Sequence, residues 1–259
     1  MKKQFDLTGK VAIITGGNGG IGLGFAKGIA KAGGDVCIWG RNKDKNDKAL
    51  EELKAIGGKV EAFVCDVSKE QEINDCFKAT LETFGRVDGC FANAGIGLEG
   101  KSFIDIPYSD WRKIMSINVD GVFLTLQAAA RHMVERAKNG DAFGRLVATS
   151  STASRMGAAR AEHYGASKSA VNGLSKALAV ELAKYKITSN TILPGWVESE
   201  MTAEMFANKR FADNVIPRVP MRRWGQPSEF EGVAVYLMSD ASSFHTGDEL
   251  LIDGGYTNF

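Results

Sequence analysis

The sequence lacks the features that mark secreted, disulfide-bonded or membrane-spanning proteins. It has only four cysteines in 259 residues, and no two of them have the C-x-x-C spacing of a metal or redox site. Cys37, Cys65 and Cys90 lie in apolar, strand-like runs, which favours buried free thiols in a reducing compartment over disulfides. The first six residues lack the apolar core of a signal peptide, and no apolar run reaches the roughly 18 residues of a membrane span. We therefore expect a cytoplasmic protein without a membrane partner.

The chain also lacks an excess of either charge, and it has little proline. Its 32 basic and 31 acidic residues leave a net charge of +1, and no run of five like charges occurs. This balance gives no reason to expect a nucleic-acid partner. With five prolines, no Pro- or Ser-rich linker and no internal repeat, nothing in the sequence divides the chain. We expect one domain over residues 1–259, a common size for a single α/β core.

Short apolar runs alternate with helical patterns along the chain. Seven runs predict strands, at 11–14, 36–39, 60–64, 87–91, 145–149, 188–193 and 249–252. Six helical patterns separate them, at 22–32, 43–56, 70–84, 111–137, 164–185 and 228–238, and Ser228 with Glu231 predicts a capping box for the last. Strands that alternate with helices pair in parallel through right-handed crossovers. The predicted fold class is therefore α/β, with a doubly wound, Rossmann-like parallel sheet and helices on both faces.

The first predicted strand leads directly into the glycine-rich turn TGGNGGIG at residues 15–22, and a helical pattern follows. Strand, glycine-rich turn and helix in this order bring a phosphate to a helix N-terminus, because glycines let it approach the backbone N–H groups closely. The spacing T-G-x-x-x-G-x-G differs from the commoner G-x-G-x-x-G pattern. Its place in the first βα unit of an alternating chain nevertheless favours a dinucleotide site over an ordinary loop.

Tyr164 and Lys168 lie four residues apart in a segment that predicts a helix. Residues with this spacing share a helix face, so the phenol and the ammonium group can converge on one point. A free tyrosine titrates near ~10, and a cation beside it favours the phenolate and lowers that pKa. The pair therefore predicts a general acid/base that operates near neutral pH.

Seven motifs follow one another along the chain. They are Thr15-Gly16-x-x-x-Gly20-x-Gly22, Asp66-Val67, Ala92-Asn93-Ala94-Gly95, Asn118, Ser151, Tyr164-x-x-x-Lys168 and Pro194-Gly195. In order and spacing they resemble the classical short-chain dehydrogenase/reductase family, over nearly the whole chain from Leu7 to Tyr256. The resemblance implies a cofactor-binding half at about 7–150 and a catalytic and substrate-covering part at about 150–259. It also implies hydride transfer between a nicotinamide cofactor and a ketone or secondary alcohol.

The resemblance implies four catalytic residues: Asn118, Ser151, Tyr164 and Lys168. Ser150 is an equally plausible hydroxyl by chemistry, but the family's interval of thirteen residues before the tyrosine selects Ser151. Ser151 would polarise the substrate oxygen, Tyr164 would exchange its proton, and Lys168 would lower the pKa of Tyr164. Asn118 would perturb its helix and hold a water that joins the lysine to solvent. Because all four residues are present, a non-catalytic nucleotide-binding relative is the weaker alternative.

The resemblance also implies a set of cofactor-binding residues. Asp66 would contact the adenine, Pro194, Gly195 and Val197 would border the nicotinamide, and Ser199 would meet its carboxamide. The full set is Gly16, Asn18, Gly20, Ile21, Gly22, Arg41, Asn42, Asp66, Val67, Asn93, Ala94, Gly95, Tyr164, Lys168, Pro194, Gly195, Val197 and Ser199. Asn93 is expected to fix the end of the sheet rather than to react. No metal site is expected.

The residues after the second predicted strand bear on the choice of cofactor. An acid there would bond the ribose 2′-OH of NAD, whereas an arginine accommodates the 2′-phosphate of NADP. Here Gly40 stands where NAD-preferring relatives carry the acid, and Arg41 and Asn42 follow it. NADP-preferring relatives often carry a second basic residue in the glycine turn, where this chain has Asn18 and Gly19. NADP(H) is therefore favoured, with NAD(H) possible as an alternative.

The partners expected from the sequence are a small carbonyl or alcohol substrate and further copies of the chain. Small ketones and secondary alcohols, sugar acids, hydroxysteroids and acyl-carrier-bound 3-ketoacyl groups all stay open. The patterns at 111–137 and 164–185 are apolar on more than one face, and the C-terminus ends in the aromatic residues Tyr256 and Phe259. Relatives with such endings commonly form tetramers. We expect a homotetramer with two-fold interfaces, and a dimer as the second choice.

Overall fold

Seven parallel strands form the centre of the structure, a computed structural model that describes residues 4–97 and 100–258. In chain order the strands are β1 (Val11–Thr15), β2 (Asp35–Gly40), β3 (Val60–Val64), β4 (Gly89–Ala92), β5 (Gly144–Thr149), β6 (Ile187–Pro194) and β7 (Glu249–Ile252). Their spatial order is β3-β2-β1-β4-β5-β6-β7, and every neighbouring pair is parallel. The predicted α/β fold with a doubly wound parallel sheet is confirmed.

Helices cover both faces of this sheet. They are α1 (Gly20–Lys31), α2 (Lys43–Lys54), α3 (Glu70–Phe84), α4 (Tyr108–Met115), α5 (Gly121–Lys138), α6 (Glu162–Leu182), α7 (Ala203–Ala207), α8 (Lys209–Val215) and α9 (Glu231–Met238). On one face α1, α2 and α9 contribute to a core that includes Phe25 and Leu237. On the other face α3, α5 and α6 bury a second set that includes Phe77 and Leu126. The two short helices α7 and α8 belong to the segment between β6 and α9.

One predicted helix is interrupted. The apolar spacing predicts a continuous helix over 111–137, but α4 and α5 are joined by a π-helical turn at Ser116–Asp120. This turn contains Asn118, whose Oδ1 accepts a hydrogen bond from the Ile96 N–H at 2.9 Å and whose Nδ2 donates to the Ile96 carbonyl at 3.0 Å. Such turns occur frequently at functional sites. The spacing of apolar residues cannot reveal this turn, because a distant backbone segment fixes it, but the family resemblance implied a perturbed helix at Asn118.

Two other predicted boundaries, the start of the fourth strand and the cap of the last helix, are wrong. The fourth strand begins at Gly89 rather than at residue 87, since the Val87 N–H is taken by the His132 side chain at 3.2 Å. The last helix has its capping box at Gln226 and Glu229, not at Ser228 and Glu231. Pro227 starts a 3-10 turn that shifts the cap toward the N-terminus.

The cysteines are buried and unpaired, as predicted. Cys37, Cys65, Cys76 and Cys90 are all free thiols inside the structure. Burial raises the pKa of Cys37 and of Cys90 to about 12, so these two are protonated and unreactive at neutral pH. The helices in the described parts of the chain are too short or too polar to cross a membrane.

The strand order fixes where a ligand binds. The chain leaves β1 toward β2 on one side and returns to β4 on the other, so β1 and β4 are adjacent but their following connections diverge. In open parallel sheets this divergence leaves a crevice at the carboxyl ends of the strands. The loops after β1 through β6 meet at that edge.

Candidate active site

A cleft of about 910 Å³ lies at this edge, and residues that follow β1 through β6 line it. The predicted site residues in its wall are Gly16, Asn18, Gly20, Ile21, Arg41, Asn42, Asp66, Val67, Asn93, Ala94, Gly95, Ser151, Tyr164, Lys168, Pro194, Gly195, Val197 and Ser199. Residues from distant parts of the chain are thus brought to one place. Two predicted site residues, Gly22 and Asn118, lie behind the wall.

Gly22 holds helix α1 against the glycine-rich turn. A Cβ atom at this position would lie 2.2 Å from the Gly16 carbonyl oxygen and 2.5 Å from Asn93 Nδ2. Any side chain there would push the first turn of α1 away from the loop that precedes it. Gly22 therefore shapes the site through close packing and does not itself line the cleft, and its part in cofactor binding stays a prediction.

Asn93 ties three strand ends together. Its Nδ2 donates to the Thr15 carbonyl at 3.1 Å, and its Oδ1 accepts from the Thr149 hydroxyl at 3.0 Å. The Thr15 hydroxyl in turn accepts hydrogen bonds from the N–H groups of Asn93 and Ala94. The ends of β1, β4 and β5 are therefore held in fixed positions beside the cleft, as the structural role expected of Asn93 requires.

Tyr164 and Lys168 project from the first half of α6 into the cleft. Lys168 is buried, and its Nζ lies 5.6 Å from the centre of the Tyr164 ring. The same Nζ donates a hydrogen bond of 2.8 Å to the Thr149 carbonyl at the end of β5. Tyr164 is half-buried, and the side chain of the neighbouring Ser151 acts to lower the pKa of its phenol. Serine, tyrosine and lysine thus meet on one wall of the cleft.

The electrostatics of this wall differ from the sequence-based expectation. The lysine is expected to lower the pKa of Tyr164, but burial raises the pKa of the phenol, and the side chain of Ser151 offsets this only in part. Burial also lowers the pKa of Lys168 to about 8. The sequence shows that a cation lies four residues away, but it does not show how deeply both groups are buried.

The two neighbouring serines have different partners. Ser150 is buried, and its hydroxyl donates to the Lys168 carbonyl at 3.0 Å. Ser151 is half-buried, accepts a hydrogen bond from the Ala153 N–H at 3.1 Å and is the serine whose side chain influences the pKa of Tyr164. Ser151 is therefore the serine beside the tyrosine, in agreement with the choice made from the spacing.

Asn118 supports the wall from behind. Besides its two bonds to Ile96, its Nδ2 donates to the Ser167 hydroxyl at 3.2 Å, and Ser167 immediately precedes Lys168. The Ser167 hydroxyl itself donates to the Tyr164 carbonyl at 2.7 Å. Asn118 thus connects the loop after β4 to the turn of α6 that carries the tyrosine and the lysine.

At the end of β2, two asparagines fill the space where an acid would stand. A Cβ at Gly40 would lie 2.3 Å from Asn18 Nδ2 and 2.5 Å from Asn46 Oδ1. These two side chains bond each other at 2.6 Å, and Asn46 also donates to the Gly40 carbonyl at 2.9 Å. A carboxylate at residue 40 would have to displace this pair. Asn42 uses its Oδ1 to cap α2, accepting from the Lys45 N–H at 3.0 Å.

Asp66 follows the end of β3, and it lines the same cleft as Arg41, which follows the end of β2. Its Oδ1 accepts from the N–H and the hydroxyl of Ser68, at 3.0 and 2.8 Å. Burial would raise the pKa of Asp66, but these bonds and the charge of Arg41 together hold it below its usual value. Asp66 is therefore ionised at neutral pH and presents an acceptor beside the cleft.

Comparison with known proteins decides the family. A profile of the family described as enoyl-(acyl carrier protein) reductase matches residues 16–257. The gluconate 5-dehydrogenase of Gluconobacter oxydans is 37% identical over 98% of this chain and 96% of its own. The FabG 3-oxoacyl-[acyl-carrier-protein] reductase of Chlamydia pneumoniae is 32% identical over 97% of this chain and 98% of its own. The chain belongs to the short-chain dehydrogenase/reductase family.

A solved structure agrees with this placement. The gluconate 5-dehydrogenase of Burkholderia cenocepacia, crystallised in complex with NADP and tartrate, has a TM-score of 0.92 and 33% identity. The match covers 99% of this chain and 98% of that one. This short-chain dehydrogenase/reductase is accordingly an NAD(P)(H)-dependent oxidoreductase that interconverts a secondary alcohol and a ketone.

The cleft of this oxidoreductase has further wall residues outside the predicted catalytic and cofactor-binding set. Among them are Lys45 from α2, Ile96 and Gly97 after β4, and Glu200, Met201 and Thr202 in the segment before α7. Thr202 organises that segment, because its hydroxyl donates to the Val197 carbonyl at 2.8 Å and accepts from the Ser199 N–H at 3.0 Å. The hydroxyl oxygens of Ser199 and Thr202 lie 3.2 Å apart. In the sequence, the only sign of this contact is the S-x-x-T spacing of the two residues.

Proposed function

We propose that the enzyme is an NADP(H)-preferring dehydrogenase/reductase whose substrate is a polyhydroxylated acid or polyol and its keto form. The observation that carries the reaction is the meeting of Ser151, Tyr164 and Lys168 on one wall of a dinucleotide-sized cleft. The substrate class is supported by the relatives named gluconate 5-dehydrogenase, one of which holds tartrate, itself a small hydroxy acid. We propose a single cytoplasmic domain, with its cofactor half before about residue 150.

The cleft fits a nicotinamide dinucleotide. The glycine-rich turn offers backbone without side chains at the start of α1, and space is open around Gly19, where an added Cβ would meet nothing within 4 Å. Arg41 and Asn42 stand at one end for the ribose phosphate, and Pro194 and Gly195 at the other for the nicotinamide. When bound, the cofactor supplies or accepts a hydride at its nicotinamide ring.

The protein's own contribution is orientation and proton transfer. Ser151 and Tyr164 would hold the substrate oxygen between two hydroxyl groups. Since burial raises the pKa of Tyr164, the phenol is protonated at neutral pH and is ready to donate its proton to a ketone oxygen. Lys168 is mostly charged below about pH 8 and would stabilise the phenolate that remains after donation. A protonated phenol is the form that ketone reduction requires, and its phenolate is the form that alcohol oxidation requires.

A substrate panel tests the proposed class. We expect the highest kcat/KM with keto acids of sugars, a lower value with simple ketones and the lowest with a 3-oxoacyl thioester. The FabG relative at 32% identity makes the thioester the second candidate. A panel in which the thioester has the highest kcat/KM would replace the sugar-acid proposal with 3-oxoacyl reduction.

The cofactor preference predicts a specific effect of Arg41→Ala. Loss of a charged hydrogen bond to the 2′-phosphate should lower kcat/KM with NADPH by about tenfold to a hundredfold, because such bonds contribute roughly 1.5–3 kcal/mol. The value with NADH should change little. Lys48→Ala, which removes an exposed positive charge from the same region, is the matched control and should resemble the wild type. A wild-type enzyme that prefers NADH, or an Arg41→Ala enzyme that loses both cofactors equally, would contradict the preference.

We also propose a homotetramer. Much of the apolar surface on α5 and α6 packs inside the chain, but Phe123 and Val180 remain 43% and 83% exposed. Tyr256, which we expected on the surface, is buried, with its ring centre 6.2 Å from that of Trp196, and Phe259 lies outside the described residues. The proposal therefore depends on the exposed residues of α5 and α6 rather than on the C-terminus.

Light scattering at micromolar concentration is expected to give four times the 27.9 kDa mass of the chain. Val180→Asp should lower this mass, since it would bury a charge in the proposed contact. Val64→Asp, a matched change at an exposed apolar residue on the edge strand β3, should leave the mass unchanged. A wild-type mass of 27.9 kDa would contradict the assembly. Burial in the core of the monomer would then explain why α5 and α6 are apolar on more than one face.

A further inference from the structure

Lys45 and Glu200 form an ion pair across the cofactor cleft. Lys45 lies in the first turn of α2, and Glu200 lies 155 residues later in the segment before α7. Both residues line the cleft that also contains Arg41 and Asn42. Lys45 lies at the end of the cleft that would take the adenosine ribose, and Glu200 lies in the segment before α7. The ion pair therefore connects these two parts of the cleft wall.

The position of Lys45 is not explained by the needs of the helix. A positive charge in the first turn of a helix opposes the helix dipole. Lys43 in the same turn is compensated within the helix by Asp47, with Nζ and Oδ2 2.5 Å apart. Lys45 has only the distant Glu200 as its ion-pair partner among the described residues. Because Glu200 is exposed and belongs to another segment, an anion that binds Lys45 more strongly can displace it.

The backbone around Lys45 is fixed toward the cleft. Its N–H donates to the Asn42 side chain at 3.0 Å. The next residue, Asn46, is buried and donates to the carbonyl groups of Gly40 and Phe63, at 2.9 and 3.1 Å. The first turn of α2 is thus locked to the ends of β2 and β3, and Lys45 stays near Arg41 while its side chain can change partner.

We propose that Lys45 is the second cation for the 2′-phosphate of NADP(H), and that Glu200 occupies it until the phosphate displaces the carboxylate. This inference rests on the proposed NADP(H) preference, and it supplies the second basic residue that the glycine-rich turn lacks. A phosphomonoester offers up to two negative charges and three acceptor oxygens, so it outcompetes a single exposed carboxylate for the ammonium group. NAD(H) has no such group and leaves the pair intact. Glu200 thus competes with one cofactor and not with the other.

Equilibrium binding of NADP⁺ and NAD⁺ to the full-length protein, measured by calorimetry, tests this proposal without relying on turnover. Lys45→Ala should weaken NADP⁺ binding about tenfold and leave NAD⁺ binding unchanged. Glu200→Gln should tighten NADP⁺ binding about two- to fivefold, the range of an exposed ion pair, again without effect on NAD⁺. In the double variant the gain from Glu200→Gln should vanish, because the acid acts only through the lysine.

Matched controls come from the same two segments. Lys43→Ala removes the other lysine of the first turn of α2, and Glu204→Gln removes an exposed acid from α7. Both should bind the two cofactors as the wild type does. Lys45→Ala with unchanged NADP⁺ binding, or with equal loss for both cofactors, would overturn the role of Lys45. A gain from Glu200→Gln that persists without Lys45 would overturn the competition.

The affinities of the wild-type protein for NADP⁺ and NAD⁺ distinguish a failure of this inference from a failure of the proposed NADP(H) preference. Equal affinity for NADP⁺ and NAD⁺ in the wild type would refute the NADP(H) preference itself. Tighter NADP⁺ binding in the wild type, lost in Arg41→Ala but kept in Lys45→Ala, would uphold the preference and refute only the part assigned to Lys45.

Discussion

Tyr164→Phe is expected to lower turnover by about 10²–10⁴-fold while cofactor binding stays close to that of the wild type. The substitution removes only the phenol oxygen, so the half-buried ring still fills its place beside Ser151 and Lys168. What is lost is the proton donor for the ketone oxygen and one of the two hydroxyl groups that hold it. Steady-state rates and cofactor titrations on the same preparations measure the two effects separately.

Tyr185→Phe is the matched control for this change. Tyr185 lies in the 3-10 turn that follows α6, packs against the core beneath α5 and α6, and does not line the cleft. Its variant should retain wild-type turnover. A Tyr164→Phe enzyme of near-normal turnover would remove Tyr164 from the reaction and would leave the substrate oxygen to Ser151.

Lys168→Met is expected to lower kcat by about 10²–10³-fold, the effect of removing one preorganised electrostatic group from a buried site. Methionine keeps the apolar length of the side chain but removes the charge and the hydrogen bond to the Thr149 carbonyl. The fold should survive, because a buried charge that pays a desolvation penalty is replaced by a buried apolar group. Thermal unfolding followed by circular dichroism checks that the variant is folded, so that the loss of kcat can be assigned to catalysis.

The pH profile separates an electrostatic role of Lys168 from a structural one. Burial lowers the pKa of Lys168 to about 8, so the ammonium group is charged below this pH and neutral above it. For the wild type, kcat/KM for ketone reduction should therefore fall as pH rises through about 8. In Lys168→Met the remaining activity should lack this fall. A variant that retains the same decline near pH 8 would assign the titration to another group.

The sequence predicts the sheet well because each strand is a short, apolar run between clear breaks. All seven predicted strands exist, and the residues after them, such as Asp66 and Asn93, lie together at one edge as parallel pairing requires. The predicted pair Tyr164 and Lys168 shares a face of α6 because the spacing of four residues is a property of the helix itself. These features depend on local geometry or on the order of the strands.

Features that depend on contacts between distant segments could not be predicted from local patterns, although the family resemblance implied the perturbed helix at Asn118. The π-helical turn at Asn118 is fixed by the backbone of Ile96, and the Lys45–Glu200 pair joins segments 155 residues apart. The pKa of Tyr164 is raised by burial, a property of the packed site that the neighbouring lysine in the sequence does not reveal. The asparagine pair at Gly40 likewise exists only once the glycine-rich turn after β1 and helix α2 are packed together beside the end of β2.

The reduction of a keto sugar acid by NADPH is the measurement that tests the central claim most directly. Purified enzyme would be mixed with NADPH and 5-keto-D-gluconate, and both the loss of NADPH absorbance and the product would be followed, the latter by NMR. We predict one secondary alcohol formed for each NADPH consumed, at a rate that Tyr164→Phe loses and Tyr185→Phe retains. No NADPH consumption with this or any other ketone of the panel would contradict the account.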